Sequence, residues 1–351
     1  MGIFIIFLSM KKIIVFILFI LTCYETYNVF INTTHFSGEK ASFEYNNRTM
    51  TISALADTLY AKKIIRDKYS FVLLANALHV QDKAKSGKYL VKRATSLLTV
   101  IRMLRNNQQA TVKFILNKVR TKGELAKLVS TTFSMDSIEC ATFFNSNDSL
   151  APFETDTTQL LTLFIPNTYE FYWSTPLPKL MQKMRNYRDE FWAENNRMSK
   201  AKKNGMTPDE VYTLASIVEE ECNYDSDKTL IASVYQNRLK LGMPLQACPT
   251  IKFAMQDFTI TRIYEKYLTN PSPYNTYNRK GLPPGPICTP SPITIDLVLN
   301  APTTKYLYFV AKADFSGYHH FSSTYEEHNK FAKEYQLKLD EYQAKKKKNN
   351  P

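Results

Sequence analysis

The chain has 351 residues, enough for two domains with separate cores, and its 44% hydrophobic and 22% charged residues are ordinary for a folded protein. A formal net charge of +13 points to an anionic partner, whether nucleic acid, a membrane surface or an acidic polymer. No zinc-finger spacing, RNA-recognition signature or concentrated basic helix is present, which sets nucleic acid aside, and nine glycines leave little room for a phosphate-binding loop.

Lys11 and Lys12 precede an almost wholly apolar, charge-free run, Ile13 to Cys23, which Val29 to Ile31 extend past Glu25. Such a run is short for a membrane span and fits a signal-peptide core equally well. The lack of a small-x-small cleavage site, and Tyr24 and Tyr27 placed as interfacial aromatics, favour an uncleaved anchor over residues 1–31. Lysines before the run put the N-terminus inside the cytoplasmic (inner) membrane and the body on the extracytoplasmic side. Met10-Lys11-Lys12 reads as a start, which would make residues 1–9 an upstream extension.

Residues 32–110 suggest a small α+β module. Ala41–Asn46 reads as a strand, Thr51–Ile65 as a helix through Ile52, Leu55, Leu59 and Ile64, and Phe71–Leu78 as a second helix. Ser86–Tyr89 turns into another strand, and Leu97–Leu104 is a helix. Residues 111–342 form a larger α+β domain. Its expected strands are Thr111–Leu116 and Thr162–Pro166, with a polar loop over Asn145–Thr158, and Leu177–Asn195 is a long amphipathic helix.

Residues 207–222 carry the most information. Thr207 suits the N-cap, Pro208 the first helical position, and Glu210 completes a capping box. Val211, Leu214, Ala215, Val218 and Cys222 fall on one apolar stripe, with Glu220 opposite it in water. Glu219 and Glu221 flank the stripe, Glu219 beside Tyr212 and Ser216, and Glu221 beside Leu214 and Ile217. A carboxyl held against aliphatic side chains loses hydration, so its pKa rises and it can donate a proton near neutrality. That selects Glu221 as the candidate acid, against the plainer reading of a solvated helix end.

A second helix spans Asp227–Leu241 and closes at Gly242. Pro271–Pro292 is a rigid irregular segment, Tyr306–Val310 a buried strand and His320–Tyr342 a helix, followed by a disordered basic tail over residues 343–351. Outside the anchor, Cys140, Cys222, Cys248 and Cys288 could pair in three ways in an oxidising compartment. No CxxC pair exists, and His320 and His328 lack carboxylate and cysteine partners, so neither a metal nor a cofactor is expected.

Glycoside cleavage normally uses two flanking carboxyl groups, and adjacent glutamates on one helix cannot flank a bond. One acid suffices if the substrate supplies its own nucleophile, the logic of a lytic transglycosylase. Leu214-Ala215-Ser216-Ile217-Val218-Glu219-Glu220-Glu221 strongly resembles the signature of the MltG (YceG-like) endolytic murein transglycosylases. Asn237–Met243 with Leu245–Thr250 is similar to the next family block. Tyr274–Tyr277 with Gly281–Ile287 resembles the third, and Tyr306–Val310, His320-Phe321 and Glu327–Asn329 the last. Order and spacing agree over roughly residues 160–335, and weaker similarity reaches residue 45, where the family has a LysM-like module.

The resemblance implies that Glu221 is the catalytic acid of a peptidoglycan lyase. It would cut MurNAc–GlcNAc bonds within nascent glycan strands, leaving 1,6-anhydro-MurNAc ends and terminating elongation beside membrane-bound peptidoglycan synthases. Glu219, Gln246, Asn275 and Thr276 are the expected substrate-binding residues. Gln246, Asn275 and Thr276 have loop-fixing hydrogen bonds as the alternative, and Arg238 is expected to order its helix. The family usually has Asp where this chain has Cys248 and Asn167. A disulfide between two of Cys222, Cys248 and Cys288 is a further expectation. Two rival readings stay open: a non-catalytic peptidoglycan-binding scaffold and a muramidase that uses water.

Overall fold

The computed structural model describes residues 2–31, 34–260 and 262–349, and the chain divides into two compact units. The smaller unit holds α1 (Gly2–Thr26), β1 (Lys40–Tyr45), α2 (Ile52–Ala61), α3 (Lys68–Ala77), α4 (Val80–Lys83), β2 (Gly87–Lys92) and α5 (Leu97–Arg105). Local chemistry sets the helix starts: Thr51, Asp67 and Ser96 each accept a hydrogen bond from a backbone N–H in the first turn of α2, α3 and α5. β1 and β2 pair antiparallel from Lys40↔Lys92 to Tyr45↔Gly87. Phe43, Tyr45, Tyr89 and Val91 alternate inward onto Leu55, Leu59, Phe71 and Leu104, while Glu44 points out.

α1 runs into a π-helical segment, Tyr27–Ile31, and Glu25 accepts a hydrogen bond from Ser70 of α3 at 3.0 Å. The side chains from Ile13 to Leu21 are all exposed. Among the described residues no helix is long and apolar enough to cross a membrane, so the expected single-pass anchor is not found there. The run Ile13–Cys23 rises only roughly 16 Å as a helix, about half the hydrocarbon thickness. Met1 and residues 32–33, within the expected anchor and at the start of the module, lie outside the described residues.

β3 (Thr111–Leu116) and β4 (Asn167–Tyr172) form a two-stranded sheet, and the division between the units falls within both strands. The larger unit continues with α6 (Lys122–Thr132), α7 (Ser137–Phe144), α8 (Asn147–Leu150), α9 (Leu177–Ala193), α10 (Arg197–Lys203) and α11 (Pro208–Glu221). It ends with α12 (Asp225–Lys240), α13 (Cys248–Ala254), α14 (Glu265–Leu268), α15 (Pro292–Leu299), the antiparallel pair β5 (Tyr308–Ala311) and β6 (His319–Ser322), and α16 (Tyr325–Asn349). α11 is the centre: every residue from Val211 to Val218 is buried, and α12, α13 and α15 pack around it. Arg197 grips Asp296 through two hydrogen bonds of 2.8 and 2.9 Å, which ties α10 to α15.

Several expected elements change. Thr162–Pro166 is not a strand; Leu160–Leu163 forms a 3₁₀ turn with all four side chains buried, and the strand follows at Asn167. The supposed polar loop contains α8 and a 3₁₀ turn anchored by buried Leu150 and Phe153. The strand near Tyr306 begins at Tyr308 and is half-buried, and His320 sits in β6 rather than in the final helix. That helix runs to Asn349, so residues 343–349 are helical rather than a loose tail, while residues 350–351 lie outside the described residues.

Candidate active site

The capping box forms as the sequence requires: Thr207 Oγ1 accepts from the Glu210 N–H at 3.2 Å, and Glu210 Oε2 accepts from the Thr207 N–H at 2.7 Å. It fixes the helix start, so the glutamates arrive at the far end in set directions. There α11 stops, because Cys222 is fully extended and Tyr224 opens α12.

The three carboxyl groups meet different surroundings. Glu219 takes hydrogen bonds from Lys228 Nζ at 2.9 Å, from Ser291 Oγ at 3.3 Å and from Thr294 Oγ1. Burial pushes its pKa up, but the Thr294 and Lys228 hydrogen bonds and the Lys228 charge prevail, leaving it below the usual carboxylate range. It stays ionised as one half of a buried ion pair, with the three hydrogen bonds all on its Oε2. Glu220, expected in water, instead pairs with Lys118 at 3.0 Å and Arg120 at 3.1 Å and is largely buried. The amphipathic reading failed here because α11 is enclosed on every side.

Glu221 has no cation bonded to it among the described residues. Burial raises its pKa to about 7, offset in part by a hydrogen bond from Tyr235 and the charge of Lys252 and reinforced by the charge of Glu220. Tyr235 Oη donates to Glu221 Oε1 at 2.5 Å, and its fully buried ring packs edge-on against Phe309 at 5.7 Å. Cys248 and Tyr277 complete the surroundings: they lie 3.2 Å apart, and the negative charge of Glu221 helps raise both their pKa values. A carboxyl half protonated near neutrality can both give and take a proton.

The other expected site residues divide. Gln246 is exposed at the loop edge, in a left-handed conformation with φ 56°, and its Oε1 accepts from Arg238 at 3.1 Å. Asn275 and Thr276 are buried with their polar groups engaged within the protein, as in the loop-fixing alternative. Asn275 Nδ2 donates to the carbonyls of Leu268 and Asn270, and its Oδ1 accepts from the Tyr277 N–H. Thr276 Oγ1 accepts from the Ala247 N–H at 3.0 Å and meets Thr250 Oγ1 at 2.9 Å. These bonds fold the 246–250 loop onto 275–277. Arg238 spends its guanidinium on the carbonyls of Pro244, Leu245 and Leu307.

Tyr235 was missed by sequence reasoning. It lies 14 positions from Glu221, and only the packing of α12 on α11 brings them together. The expected disulfide is absent: Cys222, Cys248 and Cys288 are free thiols, turned to the Tyr224 carbonyl, Tyr277 Oη and the Ser216 carbonyl respectively. His320 stacks on Phe331 and His328 on Tyr308, whereas His319 meets Asp227 at 3.0 Å.

The YceG-like family profile matches residues 47–334. An endolytic murein transglycosylase of Bacillus subtilis is 42% identical over 137 residues, covering 39% of this chain and 37% of that protein. One from Streptococcus pneumoniae is 32% identical over 169 residues, covering 47% of this chain and 30% of that protein. The matched stretch is therefore about a third of the length of these relatives. The crystal structure of a yceG-like protein from Listeria monocytogenes shares the fold, with a TM-score of 0.55, 24% identity, and 83% of this chain and 98% of that chain covered.

Proposed function

From the premise that this chain belongs to the YceG-like family, we propose that it is an endolytic murein transglycosylase with Glu221 as its single acid–base group. The observation that carries the reading is a half-buried, desolvated carboxyl at the end of α11, with a pKa near 7 and Tyr235 as its hydrogen-bond donor. In its protonated form Glu221 gives its proton to the oxygen leaving the MurNAc anomeric carbon. As carboxylate it then takes the proton of the muramyl 6-hydroxyl while that oxygen closes onto the same carbon. The glycosidic bond is replaced by a 1,6-anhydro bridge and no water is consumed. Positioned proton transfer of this kind contributes roughly 10²–10⁴-fold to the rate. Glu219 keeps Lys228 in place through its Oε2 and so supports the end of α11.

The wider setting belongs to the same proposal: a LysM-like role for the small unit, nascent strands as substrate, neighbouring synthases as partners, and attachment to the cytoplasmic membrane with the body outside. The exposed apolar side chains from Ile13 to Leu21 support membrane attachment. Digestion of purified glycan strands and weighing of the products tests the chemistry. Anhydro-MurNAc ends are expected; hydrated reducing ends would make the protein a muramidase, and intact strands would leave it a binding scaffold.

A further inference from the structure

A cavity of about 430 Å³ opens in the larger unit, and Glu221 is not among the residues that line it. Arg120, Lys122, Asn145, Thr158, Phe253 and Tyr274 are among the residues that line it. The two rings lie 4.6 Å apart at 47°, forming an apolar plate. No carboxylate lines the cavity. α13 borders both places: Lys252 is close enough to Glu221 to shift its titration, and the next residue, Phe253, faces the cavity.

The charges limit what can enter. Arg120 is already offset by Glu220 at 3.1 Å and rests over the Phe258 ring. The Lys122 ammonium makes no hydrogen bond or ion pair among the described residues. Asp156 acts on it electrostatically, but its Oδ1 is held by Thr158 and by the Gln159 N–H. One cation without a directly bonded partner suits a monoanion, whereas a phosphate dianion would call for a second. The volume takes a few residues of peptide or a short sugar unit, so the charge on the lining, more than its size, selects the occupant.

We propose that this cavity is a subsite for a carboxylate-bearing peptide branch of the glycan strand, with Lys122 holding the carboxylate and the Phe253–Tyr274 plate packing its aliphatic part. The proposal rests on the murein reading, because only that substrate brings an acidic peptide beside the bond to be cut. Two measurements keep the two readings apart.

The first needs no cleavage: a synthetic stem pentapeptide with free carboxylates is titrated into the full Glu221→Gln chain and followed by calorimetry. Binding is expected, weakened at least tenfold by adding Lys122→Glu and retained with Lys122→Arg, which checks the fold. Equal binding by the Lys122→Glu protein overturns the subsite. Inorganic phosphate displacing the peptide at lower concentration than acetate overturns the carboxylate assignment. The second compares strands that carry peptides with strands stripped of them. Lys122→Glu is expected to raise the ratio of their KM values at least fivefold, and an unchanged ratio counts against the subsite. If the parent chain cleaves neither strand but binds the peptide, the activity reading falls and the subsite stands.

Discussion

At the scale of single residues, neighbouring glutamates on one helix end up in unlike chemical states. Glu221→Gln preserves shape and still accepts from Tyr235, so the anhydro-forming rate should fall by roughly 10²–10⁴-fold with no loss of fold. Glu219→Gln should act differently: Lys228, 8% exposed, would lose its counter-charge, at a cost of about 3 kcal/mol in denaturant melts. A variant set in which only the Glu219 change stopped cleavage would overturn the assignment.

The pH dependence follows from the direction of the Glu221 shift. Its acid form must be present to begin the reaction, so kcat/KM should decline as pH rises through about 7. The Tyr235 hydrogen bond favours the carboxylate; Tyr235→Phe should therefore move that decline to higher pH. A decline that stayed in place would remove Tyr235 from its positioning role. Stability carries the same signature. The folded-state pKa is above the unfolded one, so the free-energy cost of ionising Glu221 is absent below the ordinary carboxylate pKa and complete above about pH 7. Thermal melts should show Glu221→Gln more stable than the parent at pH 8, on the order of 2 kcal/mol, with the gap closing toward pH 4.

At the scale of elements, residues 246–250 and the Pro-rich 271–291 segment are bonded to each other and bring Cys248 and Tyr277 to Glu221. Thr276→Val strands the Ala247 N–H and should cost roughly 1–3 kcal/mol in unfolding free energy. Were Thr276 a sugar ligand instead, binding would weaken and the melt would not move. Gly285 approaches the chain so closely that a Cβ there would lie 2.1 Å from the Thr158 carbonyl oxygen. Gly285→Ala must therefore push the two segments apart, lowering stability on the order of 3 kcal/mol by the same assay. α12 shows why buried polar residues can mislead: Asp227, Lys228, Gln236 and Arg238 are all buried because each finds a partner on another element.

At the scale of the whole molecule, the net charge of +13 suits an acidic polymer. Retention on sacculi should weaken severalfold from about 0.05 to about 0.5 M salt, since the screening length shrinks below the spacing of surface charges. Salt-independent retention would place recognition in uncharged contacts. Each unit has a core of its own, and every residue of the candidate site belongs to the larger one.

The sequence by itself determined whatever depends on neighbours a few positions away. The α11 cap, the β1 and β2 alternation and the β3 bounds rest on hydrogen bonds and periodicities of one to four residues. Tertiary structure alone decided what surrounds each carboxyl. Glu220 is largely buried and paired rather than in open water, Asn275 and Thr276 are sealed into a loop, and Tyr235 reaches Glu221 from the next helix. Hydration and pKa are set by every atom within a few ångströms, and around α11 most of those atoms come from segments far away along the chain.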